Sequence, residues 1–132
     1  MTSATPRIPV IIVDAANVVG SVPDGWWRDR RGATERLRDR LSGLGAAGMT
    51  DVDGPVEVVM IVEGQARQVA SSATVTTISA AGSGDDRIVE FVADHPDRRR
   101  IVVTADRELR RRVQALGAEI LGPSALSTEG TR

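Results

Sequence analysis

The chain has 132 residues, 41% of them hydrophobic, and this length and composition fit one folded domain with one core. It contains no cysteine and a single histidine, His95, which excludes disulfide frameworks, thiol nucleophiles, cysteine-based zinc sites and multi-histidine metal sites. All 17 basic residues are arginine, which excludes a P-loop lysine, a Schiff base and the lysine of a phosphoaspartate receiver.

The predicted elements alternate between apolar β-branched runs and helical stripes. Residues 1–7 form a loose leader, and no apolar run is long enough to span a bilayer, so we expect a cytoplasmic protein with no membrane partner. In chain order we predict strands at 8–13, 56–62, 74–79, 100–104 and 119–121, and helices at 28–44, from Gly84 to about Ala93, and around 109–116.

This alternation predicts an α/β fold: a three-layer α/β/α domain with a mainly parallel central sheet of four to five strands. We expect a single domain over 1–132, with its core at about 8–122 and flexible termini at 1–7 and 123–132.

Four aspartates are expected at one edge of that sheet. Asp14 directly follows the first strand, Asp106 follows the fourth, and Asp85 and Asp86 begin the middle helix. Ligands of open α/β sheets bind outside the carboxyl ends of the strands, so three separate segments deliver carboxylates to the ligand edge. A cluster of like charges requires a cation, and carboxylate oxygens favour Mg²⁺ or Mn²⁺. Each aspartate taken alone is equally consistent with a helix cap or a turn.

Three segments around these aspartates resemble the NYN/PIN-like nuclease superfamily, nearest its bacterial YacP-like ribonuclease branch. They are V-D-A-A-N at 13–17, G-D-D-R-I at 84–88 and V-V-T-A-D-R-E-L-R at 102–110. Their order and spacing fit that family, and the resemblance covers about residues 8–122. It departs from the family pattern at Ala15, where the family usually has glycine.

The resemblance implies a PIN-like fold and divalent-metal-dependent hydrolysis of RNA by an activated water. It implies that Asp14, Asp86 and Asp106 are catalytic metal ligands and that Asn17 orients water, metal or phosphate. Asp85 is a further candidate ligand. Only one of Asp85 and Asp86 is expected to point into the pocket, because successive residues of a helix point in different directions, and Asp86 is favoured. Glu108 is either another ligand or a first-turn residue favoured by the helix dipole. Glu63, at the end of the second strand, either joins the site or, in the slightly favoured interpretation, pairs with an arginine.

Candidate substrate contacts come from arginine and tryptophan. Arg107, beside Asp106, is the first choice for a phosphate contact, and Arg110 and Arg31 are further candidates. Trp26 is a candidate platform for an unpaired base, which favours single-stranded RNA as the partner, although one tryptophan of the 26–27 pair is expected to cover the core or a homodimer contact.

Two other functions remain open from the sequence. One is a non-catalytic RNA-binding or regulatory module with the same fold, which would bind RNA even with its aspartates neutralised. The other is a phosphohydrolase of nucleotides or small phosphate esters, although no glycine-rich phosphate loop supports it.

Overall fold

The computed structural model describes residues 8–22, 25–49 and 51–126. The predicted leader at 1–7 lies outside the described residues. The strands are β1 (Val10–Asp14), β2 (Gly48–Met49), β3 (Val52–Asp53), β4 (Glu57–Val62), β5 (Thr76–Ser79), β6 (Arg100–Val103) and β7 (Glu119–Leu121). The helices are α1 (Ala15–Gly20), α2 (Arg30–Arg40), α3 (Leu44–Ala47), α4 (Gly84–Asp94) and α5 (Arg107–Gln114), with short 3-10 helices at Trp26–Arg28 and Gly64–Gln68.

Five strands form a wholly parallel sheet in the order β5-β4-β1-β6-β7. The apolar run of β1 occupies the centre because all of its residues, Val10 to Asp14, are buried on both faces. Val10 is paired with Glu57 on one side and with Arg100 on the other. The predicted α/β class, with a mainly parallel sheet of four to five strands, is confirmed.

Alternate residues of the sheet face two separate helical layers. Ile11 and Val13 pack in the cluster that includes α1 and α2, whereas Val10 and Ile12 pack in the cluster that includes α4 and α5. The period of two along a strand continues this alternation past Ile12. Asp14 therefore lies on the α4–α5 side of the sheet, at the carboxyl end of its central strand.

The helix predicted over 28–44 is shorter in the structure. It begins at Arg30 because the carboxylate of Asp29 caps it by accepting from the backbone N–H of Gly32, and it ends at Arg40. The apolar residues at helical spacing in this segment, Ala33, Leu37, Leu41 and Leu44, are all buried, but Leu41 follows α2 and Leu44 belongs to α3. The helix α1 and the small antiparallel pair β2–β3 were not predicted.

Residues 123–132 are predicted to be a flexible terminus, but the first residues of this segment pack against the core. Leu126 is buried in the core cluster of the α1–α2 layer, and Ala125 packs against the same cluster. None of the helices within the described ranges is both long and apolar enough to cross a membrane.

Candidate functional site

The strand order predicts that ligands bind at the carboxyl ends of β1 and β6. The chain leaves β1 for β4 on one side of the sheet, and later returns to β6 on the other side, so the order of strands reverses between β1 and β6. Open parallel sheets bind their ligands at such a reversal. An open hollow of about 240 Å³ lies there, lined by Asp14, Ala16, Asn17, Glu63, Asp85 and Asp106. These six residues define the acidic hollow.

Asp14 is the most deeply buried acid of the hollow, with 5% of its surface exposed. Its Oδ2 accepts a hydrogen bond from the Thr104 hydroxyl at 2.8 Å, and its Oδ1 accepts from the backbone N–H of Asn17 at 3.4 Å. Burial raises the pKa of Asp14 to about 6; the Thr104 hydrogen bond opposes the rise, and the charges of Asp85 and Glu63 add to it. The carboxylate is therefore held in place but is electrostatically unfavourable without a nearby positive charge.

Thr104 joins two of the predicted site residues. Besides donating to Asp14, its fully buried hydroxyl accepts the backbone N–H of Asp106 at 3.1 Å. Asp106 is the N-cap of α5, because its Oδ1 accepts from the N–H of Leu109 at 2.9 Å. Thr104 was not singled out from the sequence, although strand register could have identified it: Val13 pairs with Val103, so the next residues are opposite each other.

Asn17 links the end of β1 to the chain that follows β6. Its side-chain oxygen accepts the backbone N–H of Ala105 at 2.9 Å. Since a backbone N–H can only donate, this contact fixes the oxygen toward Ala105 and leaves the amide N–H groups as donors. Of the predicted roles, orienting water or phosphate as a donor fits this geometry better than binding a metal through oxygen.

Asp85 and Asp86, at the start of α4, lie in different environments, and the prediction that Asp86 points into the pocket is wrong. Asp85 lines the acidic hollow, where burial and the charges of Asp106 and Glu63 raise its pKa. Asp86 is exposed and accepts from Arg112 of α5 at 3.0 Å. Ser83 caps the helix by accepting from the N–H of Asp86, and this register turns Asp85 inward.

Glu63 belongs to the acidic hollow, and its favoured pairing with an arginine is wrong. One carboxylate oxygen of Glu63 accepts the backbone N–H of Gly84, the first residue of α4. A Cβ atom at position 84 would lie 2.5 Å from that oxygen, so any larger residue there would displace the Glu63 carboxylate. The contact ties the carboxyl end of β4 to the start of α4.

Glu108 does not line the acidic hollow and is exposed on α5. It forms an ion pair with Arg111, one turn further along the helix. The geometry therefore corresponds to the first-turn alternative, and the prediction of Glu108 as a metal ligand is not supported.

The ligand atoms of the acidic hollow suit a hard cation, although its acidic side chains do not form a close cluster. Four carboxylates and an amide provide oxygen and N–H groups but no nitrogen or sulfur ligand, which is the donor set of Mg²⁺ or Mn²⁺ sites. Within the described ranges, however, no three Asp, Glu or His side chains are grouped closely enough to hold one ion. Mg²⁺ keeps several waters and is commonly held by one or two carboxylates, so this spacing is compatible with a partly hydrated ion.

The three candidate arginines occupy different environments. Arg107 is exposed at the first turn of α5 and makes no hydrogen bond or ion pair with the residues that the structure describes. Arg110 donates to the backbone carbonyl of Thr104 at 2.8 Å, so it braces the loop beneath the site. Arg31 is exposed and paired with Glu35 at 3.6 Å. Only Arg107 is both beside the hollow and uncommitted.

Trp26 lines a second cleft, next to the acidic hollow, and the arginine that accompanies it is Arg30 rather than Arg31. The guanidinium carbon of Arg30 lies 5.3 Å from the centre of the Trp26 ring. Trp26 also packs partly against the core, whereas Trp27 is 56% exposed. The expectation that one of the pair covers the core is therefore met by Trp26.

The arginines at 98–100 lie at the opposite edge of the sheet, at the start of β6, and each has a structural partner. Arg98 binds Glu57 and the carbonyl of Ile8, and Arg99 binds Glu119. The buried Arg100 donates to the carbonyls at 92 and 116. His95 is likewise structural, since it stacks on the ring at 91 and contacts the carbonyl of the same residue.

The parallel five-stranded sheet and its flanking helices form an α/β domain with a PIN-like fold, and the acidic hollow lies at the carboxyl ends of its strands. The structure is similar to a crystal structure of Rae1 (YacP) from Bacillus subtilis, with a TM-score of 0.74 and 16% identity over 92% of this chain and 73% of that chain. A single-residue mutant of Rae1 gives a TM-score of 0.69 at 16% identity, over 92% and 74% of the two chains. No family model and no curated protein matches the sequence. The resemblance to the NYN/PIN-like superfamily and its YacP-like branch is thus confirmed at the level of the fold.

Proposed function

We propose that the protein is a metal-dependent ribonuclease that hydrolyses RNA phosphodiester bonds with a metal-activated water. The observation that carries the proposal is the position of Asp14, Asp85, Asp106 and Glu63 around one hollow, at the reversal in strand order. These acids come from four separate segments and lie together at the edge where open parallel sheets bind ligands. Helix capping by single residues does not explain this convergence. The likeness in fold to Rae1 (YacP) supports the proposal.

The proposed cofactor is Mg²⁺ or Mn²⁺, held by Asp14, Asp85 and Asp106 with Glu63 beside them. Burial and mutual repulsion raise the pKa of both Asp14 and Asp85, and a divalent cation would relieve that repulsion. When bound, such an ion lowers the pKa of a coordinated water and stabilises the negative charge that develops on the phosphate. Because the acids are not closely grouped, the proposed ion keeps part of its water shell.

The protein's own groups then position the substrate. Asn17, whose oxygen is committed to Ala105, has amide N–H groups to donate to a phosphate oxygen or to the attacking water. Arg107 is exposed beside Asp106 and can contact a flanking phosphate. The hydroxyl of Thr104 holds Asp14 in a fixed orientation throughout. Unpaired RNA suits this open site because its backbone and bases are accessible together.

The proposal is tested by incubating the purified protein with single-stranded RNA in Mg²⁺ or Mn²⁺, with EDTA as the metal-free arm. Asp14→Asn and Asp106→Asn are the informative variants, since asparagine also caps helices and both variants should remain folded. We expect cleavage by the wild type with metal, and its loss in EDTA and in both variants. Absence of cleavage by the wild type over diverse RNAs would refute the proposal.

One observation favours a second candidate, a non-catalytic RNA-binding module. Within the described residues, no three acidic or histidine side chains are grouped closely enough for a single ion. Such a module would bind RNA with a salt-dependent affinity that neutralising Asp14 leaves intact or strengthens. The same experiment separates the two functions. A ribonuclease cleaves RNA as the wild type and loses cleavage in these variants, whereas the module binds RNA without cleaving it, in the wild type and in the variants.

A further inference from the structure

A second cleft, of about 140 Å³, opens beside the acidic hollow. It is lined by Trp26 and Arg30 and by small and apolar residues of α1 and β4, including Ala15, Val19 and Val62. Since Trp26 is one of only two tryptophans in the chain, we name this feature the tryptophan cleft.

The wall of the tryptophan cleft carries two planar groups. The Arg30 guanidinium lies over the Trp26 ring, with 5.3 Å from its central carbon to the ring centre. Gly20, at the end of α1, lies under the ring edge: a Cβ there would be 3.7 Å from the nearest ring carbon. Indole rings and guanidinium planes are among the side-chain surfaces on which unpaired bases stack.

The tryptophan cleft is continuous with the acidic hollow. Ala16 and Glu63 line both, so the two features share a boundary. The two differ in chemistry, because the hollow is lined mainly by carboxylates whereas the cleft is mainly apolar and aromatic. A nucleotide has the same division, with an anionic phosphate that needs a cation and a flat base that needs a stacking surface.

We infer that the tryptophan cleft is a nucleobase subsite, which holds the unpaired base of the nucleotide whose phosphate lies at the acidic hollow. The position of the phosphate in this inference rests on the proposed function, whereas the stacking of the base does not. It assigns Trp26 and Arg30 as substrate-binding residues and leaves Trp27 and Arg31, their neighbours in sequence, outside the subsite. The protein therefore supplies matched control positions for both residue types.

The first experiment measures base stacking without cleavage. The variant Trp27→Phe retains Trp26 as its only tryptophan, and its fluorescence is titrated in Mg²⁺ with nucleoside 5′- and 3′-monophosphates, and with ribose 5-phosphate as the base-free probe. We expect saturable quenching by at least one monophosphate and none by ribose 5-phosphate. The reciprocal variant Trp26→Phe, which reports on Trp27, should show little change. Equal responses to the probes with and without a base would overturn the inference.

The second experiment compares cleavage of single-stranded RNA by Trp26→Leu and Trp27→Leu. We expect Trp26→Leu to raise KM by roughly fivefold to 150-fold, the range for loss of one base–aromatic stack, with kcat changed much less. Trp27→Leu should leave KM within about twofold. Arg30→Ala should likewise raise KM more than Arg31→Ala. Equal effects within each pair would contradict the subsite, and thermal melting of every variant excludes loss of folding as the cause.

The two experiments separate this inference from the proposed function. Base-dependent quenching of Trp26 without any RNA cleavage would reject the ribonuclease and retain the subsite. Metal-dependent cleavage that is indifferent to Trp26 and Arg30 would retain the ribonuclease and reject the subsite.

Discussion

The hydroxyl of Thr104 donates a hydrogen bond of 2.8 Å to Oδ2 of Asp14, joining the carboxyl ends of two adjacent parallel strands. The same oxygen of Thr104 accepts the N–H of Asp106. One buried hydroxyl thus fixes the most buried acid of the hollow and the start of α5. The arrangement holds an ionisable group in a place where burial disfavours its charge.

The first prediction concerns the pH dependence of metal-free stability. The pKa of Asp14 is raised from 3.8 to about 6 in the folded protein, so folding favours the protonated form. The stability linked to Asp14 is fully present below pH 4 and is lost as the pH rises through about 6, by up to about 3 kcal/mol. Denaturant unfolding in EDTA between pH 4 and pH 8 measures this loss.

Asp14→Asn is the control for that experiment, since it cannot ionise. Its free energy of unfolding should vary less with pH over the same range than that of the wild type. Mg²⁺ should stabilise the wild type more at pH 8 than at pH 5, because the ion binds the ionised carboxylate. Equal pH dependence in the wild type and Asp14→Asn would show that Asp14 is not the titrating group.

The second prediction concerns Thr104→Val, which keeps the shape of the side chain but removes its hydroxyl. The hydrogen bond from Thr104 lowers the pKa of Asp14, so its loss should shift the pH-dependent loss of stability to higher pH. The loss of the donor to Oδ2 of Asp14 should also cost about 1–3 kcal/mol at neutral pH. Thr104→Ser retains the hydroxyl and should restore the wild-type pH profile, whereas a purely steric role would leave the serine variant defective.

The third prediction uses the adjacent pair Asp85 and Asp86. Asp85→Asn should lower metal-dependent cleavage by at least about 10- to 100-fold, the loss expected even for residues that support a metal ligand. Because it also removes a charge that raises the pKa of Asp14, it should stabilise the metal-free protein at pH 8. Asp86→Asn loses an exposed ion pair with Arg112, which contributes about 0–1 kcal/mol, and cleavage should persist. A larger loss of cleavage in Asp86→Asn would reverse the assignment.

The fourth prediction compares Arg107→Ala with Arg111→Ala in RNA binding. Arg107 is exposed beside Asp106 and makes no hydrogen bond or ion pair with the described residues, whereas Arg111 is paired with Glu108. Arg107→Ala should weaken binding and reduce the slope of log affinity against log salt by about 0.7, the value for one phosphate contact to a single strand. Arg111→Ala should change the slope less. Identical slopes for Arg107→Ala and the wild type would remove Arg107 from the interface.

Much of the fold was predictable because its signals are local and strong. The β-branched run ending at Asp14 identifies a buried central strand, and the apolar stripes beginning at Ile88 and Leu109 identify two helices. The helix α1 was missed because six residues with two valines give little periodicity, even though Asp14 caps it. The pairing of Gly48 with Asp53 was missed because two-residue strands give no alternation.

The candidate site was predictable to the level of segments but not of side chains. Strand ends and helix starts place Asp14, Asp106 and the adjacent aspartates at the start of α4 at one edge, which is a property of topology. The choice between Asp85 and Asp86 depends on the register of α4, and Ser83 sets that register as N-cap. The position of Glu63 depends on a close approach to Gly84, which no local pattern reveals.

The most direct test of the central claim is the origin of the oxygen added at the cleaved bond. Single-stranded RNA is cleaved in H₂¹⁸O with Mg²⁺ or Mn²⁺, and the product ends are analysed by mass spectrometry. Attack by a metal-activated water predicts one ¹⁸O in each new terminal phosphate, no 2′,3′-cyclic phosphate, and no product from Asp14→Asn. Cyclic phosphate ends, or cleavage that survives in EDTA and in Asp14→Asn, would contradict the account.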